Sequence, residues 1–185
     1  IILLVTVTYS SLVSFLSLFV RQQGLTTAGL FFTTVAVTTL LSRPISGTIV
    51  DKKGRHGYDF VVITGIASIV MAVLVVAQTS SSVFLITSGI LYGIGLGFLQ
   101  PTMMTLSITS VPPERRGAAN ATFWSAFDVG VAAGSVIWGT VVNLFGYSVM
   151  FSLNSVPVLL ALLVYLFSRK SLFGPASSKT AEKHV

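Results

Sequence analysis

A charge-rich segment, residues 47–56, interrupts an otherwise apolar chain and carries the clearest potential for chemistry. A carboxylate in this setting can accept hydrogen bonds from the positive end of a neighbouring helix, and cations can bind headgroups or carbonyls. Glycine permits close helix contact at Gly47 and a turn with positive φ at Gly54. Fixing topology would require the basic residues alone, so we predict a tight polar turn with a further role. Its polar and glycine residues are Gly47, Asp51, Lys52, Lys53, Gly54, Arg55 and His56.

Asp128 is the one acidic residue placed deep within an apolar run, on the same helical face as Asn120 and Trp124. An ionised, unpaired carboxylate costs several kcal/mol inside a bilayer, so such residues are functional candidates. Two interpretations stay open. Asp128 either binds and releases a proton, or it is a structural carboxylate that is hydrogen-bonded to a neighbouring helix.

Other site chemistries are excluded by composition. The chain has no cysteine, which removes disulfides, thiol catalysis and thiolate metal sites. The two histidines, His56 and His184, lie in a loop and the tail, so no intramembrane Ser/His dyad and no His-rich metal cluster is predicted. The chain is therefore not expected to be an enzyme or to hold a metal or cofactor. The net charge of +6 is distributed among loops, so no nucleic-acid partner is predicted.

The elements that position these residues are predicted to be membrane-spanning helices. Hydrophobic residues make up 53% of the chain and charged residues 9%, whereas about a quarter of a soluble protein is charged. Apolar runs near the length needed for a ~30 Å hydrocarbon layer recur between short polar breaks. The prediction is an all-α membrane bundle over residues 1–168, followed by a disordered cytoplasmic tail at 169–185. Its six spans are approximately 2–20, 28–50, 60–77, 83–108, 118–142 and 149–168.

Basic residues alternate from loop to loop and indicate the orientation. The first loop holds Arg21 alone, and the third and fifth loops hold no Lys or Arg. The second loop, the fourth loop and the tail are basic. By the positive-inside rule both ends of the chain are cytoplasmic, in a multi-pass protein whose surroundings are the lipid bilayer of a cell membrane.

Small residues form stripes along several predicted helices. Span one carries Thr6, Ser10, Ser14 and Ser17 on one face, which can serve either close packing or a wet path. Glycines recur every fourth residue in spans four and five, where close helix packing is favoured. In span four, Gln100 and Pro101 follow on the same face, and a cavity role is equally open for them. The packing glycines are Gly89, Gly93, Gly97, Gly130 and Gly134.

The charged segment resembles a family signature. Residues 47–56 match G-x-x-x-D-[RK]-x-G-R-[RK] of the major facilitator superfamily, except that His56 stands where the family has Arg or Lys. The segment follows the second of six spans, and a Pro-Glu-Arg-Arg-Gly turn at 113–117 precedes the fifth. Residues 115–134 are similar to the fifth helix of a half in the bacterial drug and sugar efflux branch.

Family members have twelve helices in two six-helix halves, so the resemblance implies that this chain is one half. The N-terminal half usually has an arginine in its fourth helix, where this chain has Gly89. The fifth-helix antiporter signature is also absent from residues 130–135, and the chain begins at Ile1 without Met. These features favour the C-terminal half, with the N-terminal six-helix half as the missing partner and a bacterial cytoplasmic membrane as the location.

The resemblance also implies a mechanism and site residues. The halves would rock about a midplane site, with spans one and four lining the cavity. Proton-coupled efflux of a small molecule is the leading interpretation, with Asp128 as the proton-coupling candidate. A uniporter or symporter with a structural Asp128, and a non-transporting scaffold or sensor, remain alternatives. The cytoplasmic gate motif would comprise Arg43, Gly47, Asp51, Lys52, Gly54 and Arg55, and the cavity-lining candidates are Tyr9, Ser10, Ser14, Gln100 and Asn120.

Overall fold

The computed structural model describes residues 1–25 and 28–172, with side chains described as far as Arg169. Every regular element in this part of the chain is helical, which confirms the predicted all-α class. A 3₁₀ turn at Pro113–Arg115 precedes α4. The helices are α1 (Ile2–Gln22), α2 (Ala28–Ala77), α3 (Ser82–Thr109), α4 (Arg116–Phe145), α5 (Tyr147–Leu153) and α6 (Ser155–Leu172).

Helix α2 contains two predicted spans joined at Gly54. Its backbone is helical except at Gly54, where φ is 50° and ψ is −126°, a conformation that glycine adopts without strain from a Cβ. We call residues 28–53 the first limb and residues 55–77 the second limb. The predicted nine-residue loop at 51–59 is therefore wrong in extent, because its charged residues continue the two helices and a single glycine makes the reversal.

Within the described residues, five stretches are long and apolar enough to cross a membrane, and one of them is the two-limbed α2. Counting both limbs gives six spans, in agreement with the sequence. The sixth consists of α5 and α6, which are separated by a break at Asn154. Pro157 explains the break, since it has no N–H to bond the carbonyl four residues earlier.

The predicted tail does not begin at Arg169. Helix α6 continues to Leu172, and the remainder of the predicted tail lies outside the described residues. Arg169 contributes to this extension because its guanidinium lies 4.0 Å from the carboxylate of Asp59. A cation in the last turn also interacts favourably with the negative end of the helix dipole.

The helices pack as two groups of three spans. Helix α3 packs against both limbs of α2, whereas α1 packs against α4 and α6. Fewer contacts join the groups, mainly between α3 and α4 and between α2 and the α5–α6 span. The buried core is continuous through both groups and includes Leu16, Phe31, Ile66, Tyr92 and Tyr165. This arrangement brings α1, α3 and α4 around one cavity.

Candidate functional site

A cavity of about 90 Å³ lies among α1, α3 and α4. Its wall is mostly apolar, with three polar side chains and no charged one among its lining residues. The rings of Tyr9 and Phe127 lie 5.9 Å apart and form an aromatic side of the cavity. We call it the midplane pocket, after the midplane site that the family resemblance implies. Its lining residues are Ile2, Val5, Thr6, Tyr9, Leu96, Leu99, Gln100 and Phe127.

Gln100 connects the midplane pocket to α2. Its Oε1 accepts a hydrogen bond of 2.9 Å from a terminal nitrogen of Arg43, on the first limb. Sequence reasoning assigned Arg43 to the gate motif and Gln100 to the cavity, and the structure joins them. Arg43 directly follows Ser42, which packs against Gly97 of α3, and its exposed side chain reaches the Gln100 amide.

A second cavity, of about 130 Å³, lies between the hairpin and the second half of α3. Arg43, Gly47 and Asp51 line it together, so three members of the predicted gate motif share one surface. Tyr58 lines it from the second limb. We call this space the hairpin cavity.

The other gate residues lie at the turn itself. Lys52, Gly54 and Arg55 are exposed, and the ammonium of Lys53 lies 5.7 Å from the ring centre of Phe60. A Cβ added at Gly47 would meet nothing within 4 Å, so no helix of the described chain approaches closely there. A Cβ at Gly57 would lie 2.5 Å from the Ile49 carbonyl oxygen. Gly57 is thus the glycine that lets the two limbs approach. Its position three residues after Gly54 was the feature of the sequence that could have predicted this contact.

A polar cluster that sequence reasoning missed joins the second limb to α6. The hydroxyl of Tyr165 donates a 2.7 Å hydrogen bond to Asp59, and Arg169 lies beside the same carboxylate. Tyr165 is fully buried. The sequence did contain a signal for this cluster, because the acidic Asp59 lies at the start of one predicted span and Arg169 lies at the end of another.

Asp128 lies on an exposed face of α4. Its neighbour Phe127 lines the midplane pocket, but Asp128 does not. No hydrogen-bond or ion-pair partner for Asp128 is present among the residues that the structure describes. Asn120, two turns earlier, is half-buried and outside the pocket lining, and its Oδ1 atom is buried without a partner.

The other predicted cavity-lining residues lie in different environments. Tyr9 and Gln100 line the midplane pocket. Ser10 is fully buried between helices, where its hydroxyl donates a 2.7 Å hydrogen bond to the Val7 carbonyl. Ser14 is exposed and lies outside the pocket lining. The structure therefore places two of the five candidates at one cavity.

The predicted packing glycines lie in two interfaces. Gly89, Gly93 and Gly97 of α3 face the first limb, where each would bring a Cβ to within about 3 Å of its partner helix. Gly130 and Gly134 of α4 face α1 in the same way. We call these interfaces the α2–α3 seam and the α1–α4 seam. They hold the helices that bound the two cavities.

The sequence of this chain matches a known protein family over almost its whole length. The sequence profile of the Major Facilitator Superfamily matches residues 1–184. The chain belongs to the major facilitator superfamily. This identification agrees with the signature at residues 47–56 and with the expectation that the chain is not an enzyme.

Several superfamily relatives can be named. The "Multi-drug resistance efflux pump PmrA" of Streptococcus pneumoniae is 30% identical over 179 residues, which cover 93% of this chain and 44% of the relative. "Multidrug resistance protein MdtG" of Proteus mirabilis is 27% identical, with 94% and 44% covered. The "Staphylopine export protein" of Staphylococcus aureus is 23% identical, with 96% and 45% covered. The chain thus spans less than half the length of these superfamily members.

A solved transporter structure has the same fold. The peptide transporter POT in complex with sulfate superposes with a TM-score of 0.78 at 20% identity, covering 98% of this chain and 41% of that one. At this identity the similarity concerns the fold alone.

Proposed function

We propose that this chain is one half of a transporter that exports a small molecule across a membrane by alternating access, in exchange for protons. The observation that carries the proposal is the hydrogen bond from Arg43 to Gln100, which connects an apolar midplane pocket with the hairpin. A transporter requires such a connection, because a binding site must communicate with a gate. The relatives named as efflux pumps support export as the direction.

The size of the pocket supports the half-transporter proposal. A site for a drug-sized ligand occupies roughly 300–1,000 Å³, whereas the midplane pocket holds about 90 Å³. A second six-helix unit would supply the missing wall. Helix α4 supports this proposal because its buried residues are limited to one side: Phe123, Gly130, Gly134 and Trp138. We assign this chain as the C-terminal half and the missing unit as the N-terminal half.

The hairpin would act as a gate on the cytoplasmic side. Asp51, with the hairpin cavity behind it, can accept hydrogen bonds from a helix N-terminus of the other half. Exposed charged contacts contribute about 1 kcal/mol or less, so they can break once in each cycle. The basic residues Lys52 and Arg55 would meet anionic headgroups at the same membrane surface. We place the protein in a bacterial cytoplasmic membrane with both chain ends in the cytoplasm.

Asp128 would couple transport to protons. It is exposed on α4, has no partner in the described chain, and follows Phe127, which contacts the midplane pocket. A carboxyl group that meets water in one state of the cycle and the other half in the next can gain and lose a proton. This requires no metal or cofactor.

Transport in inverted membrane vesicles tests this proposal. The full-length protein that contains this chain is expressed, a pH gradient is imposed, and accumulation of ethidium is followed by fluorescence. We expect Asp128→Asn to reduce gradient-driven accumulation at least tenfold, while Glu114→Gln, an exposed carboxylate before α4, retains it. Gradient-driven accumulation that is unchanged in Asp128→Asn would remove the coupling role. Absence of any accumulation by the wild type would contradict the transport proposal itself.

A further inference from the structure

The orientation of the Gln100 amide is fixed by its partner. An arginine guanidinium has five N–H donors and no acceptor, so only the amide oxygen of Gln100 can face Arg43. The 2.9 Å contact between that oxygen and the guanidinium satisfies this requirement. The Nε2 group is consequently directed away from Arg43. It donates to no group in the described part of the chain, and Gln100 lines the midplane pocket.

Among the described lining residues of the midplane pocket, the other polar side chains are the hydroxyl-bearing Thr6 and Tyr9. The Thr6 hydroxyl is already used, since it donates a 3.0 Å hydrogen bond to the Leu3 carbonyl. The Tyr9 hydroxyl has no hydrogen-bond partner among the described residues, and its ring is tilted by 51° relative to that of Phe127. No charged side chain is among the described residues that line the pocket. Its chemistry suits an uncharged, flat aromatic group that carries a hydrogen-bond acceptor.

We propose that Gln100 is a specificity-determining residue whose Nε2 group donates a hydrogen bond to an acceptor oxygen of an uncharged aromatic ligand. Arg43 is its positioning residue. It holds the amide oxygen and so presents the NH₂ group to the ligand. This inference rests on the proposed function, because it assigns a ligand class to the same pocket. A ligand that lacks the acceptor leaves the NH₂ group unpaired on binding, which is the source of discrimination.

Two tricyclic probes that differ in one carbonyl test the proposal. Acridone has a carbonyl acceptor, and 9,10-dihydroacridine has the same ring skeleton without it. Binding of each to the purified full-length protein in detergent is measured by equilibrium dialysis. We expect wild-type protein to bind acridone about tenfold more tightly than dihydroacridine, since one hydrogen bond to an otherwise unpaired donor has about this effect.

Gln100→Glu is the informative variant. A carboxylate has nearly the same shape and still accepts from Arg43, but it carries no donor. Acridone binding should weaken at least tenfold, and dihydroacridine binding should change less than twofold. The matched control is Gln78→Glu, at an exposed glutamine in the turn between α2 and α3. It should change the binding of neither probe. Equal weakening for both probes, or unchanged acridone binding, would overturn the assignment.

Arg43→Leu separates positioning from protein folding. Without the guanidinium the amide can rotate, so the preference for acridone should fall from about tenfold to about threefold or less. A merely structural role for Arg43 would weaken both probes alike and keep their ratio, which would overturn its positioning role. Ethidium accumulation by the same protein in inverted membrane vesicles separates this proposal from the proposed transport function. A wild-type protein that transports ethidium but binds both probes equally overturns the Gln100 assignment alone.

Discussion

The α1–α4 seam and the α2–α3 seam use the same chemistry with the roles exchanged. In the α1–α4 seam the glycines belong to α4, and the hydroxyl residues Thr6 and Ser10 belong to α1. In the α2–α3 seam the glycines belong to α3, and the first limb supplies Thr34, Thr38 and Ser42. Both bring backbones into close contact, which is how helices associate where lipid removes the hydrophobic driving force.

The seams differ in how they end. The α1–α4 seam is closed by Trp138, whose indole N–H donates a buried 2.8 Å hydrogen bond to the Val7 carbonyl. The α2–α3 seam opens beyond Gly97 into the Arg43–Gln100 hydrogen bond and the hairpin cavity. Close packing therefore holds the bundle, while its open end carries the polar groups that we assign to binding and gating. Changes in the seams should therefore affect stability, and changes at the open end should affect transport.

Substitution within a seam should have the largest effect on stability. A Cβ at Gly93 would lie 2.9 Å from the Val35 carbonyl oxygen, so Gly93→Ala forces two backbones apart. We expect a loss of about 1–3 kcal/mol in stability, as overpacking produces elsewhere. Thermal unfolding of the full-length protein in detergent, followed by size-exclusion chromatography, measures it.

The matched control for this substitution is Gly139→Ala on α4. The nearest atom to a Cβ there is Cζ of Phe15, at 3.5 Å, which is an ordinary contact. This variant should match the wild type or exceed it slightly, because alanine favours helix over glycine. Equal loss of stability in both variants would mean that the seams are not the tight part of the molecule.

Loss of the bond that closes the α1–α4 seam should have a smaller effect. The Val7 carbonyl accepts side-chain hydrogen bonds from both Trp138 and Ser10, so Trp138→Phe removes one of them and leaves the other. We expect a loss of about 0.5–1.5 kcal/mol, within the range measured for hydrogen bonds between membrane helices. The same unfolding assay applies. A loss as large as that of Gly93→Ala would show that this hydrogen bond, and not glycine packing, dominates the seam.

The helical class, the span count and the packing glycines follow from periodicity and spacing in the sequence. The turn at Gly54, three residues after Asp51, was also predictable, because a reversal between two helices depends only on residues near the turn. The connection of Arg43 to Gln100 was not predictable, since it joins residues 57 positions apart through the packing of two helices. Burial of Ser10 was missed for a similar reason. A hydroxyl stripe looks the same whether it faces water or a glycine on another helix.

The second limb shows the same limit. Its even apolar composition gave no sign of a buried face, yet Gly65 and Gly95 bring it against α3 as closely as the first limb. Helix α3 therefore packs closely against both limbs of α2. The sequence contains both glycines, but a single sequence does not say which helix each of them faces.

The central claim is that the seams hold the bundle together and that the open end of the α2–α3 seam carries transport. The Asp51→Asn variant tests this claim most directly when its thermal stability and its transport are both measured. Asp51 is exposed and lines the hairpin cavity, so the variant should unfold within about 2 °C of wild type, as expected for a surface change. Ethidium accumulation should slow at least fivefold, whereas Glu114→Gln retains the wild-type rate. Transport at the wild-type rate, or a stability loss as large as that of Gly93→Ala, would contradict the account.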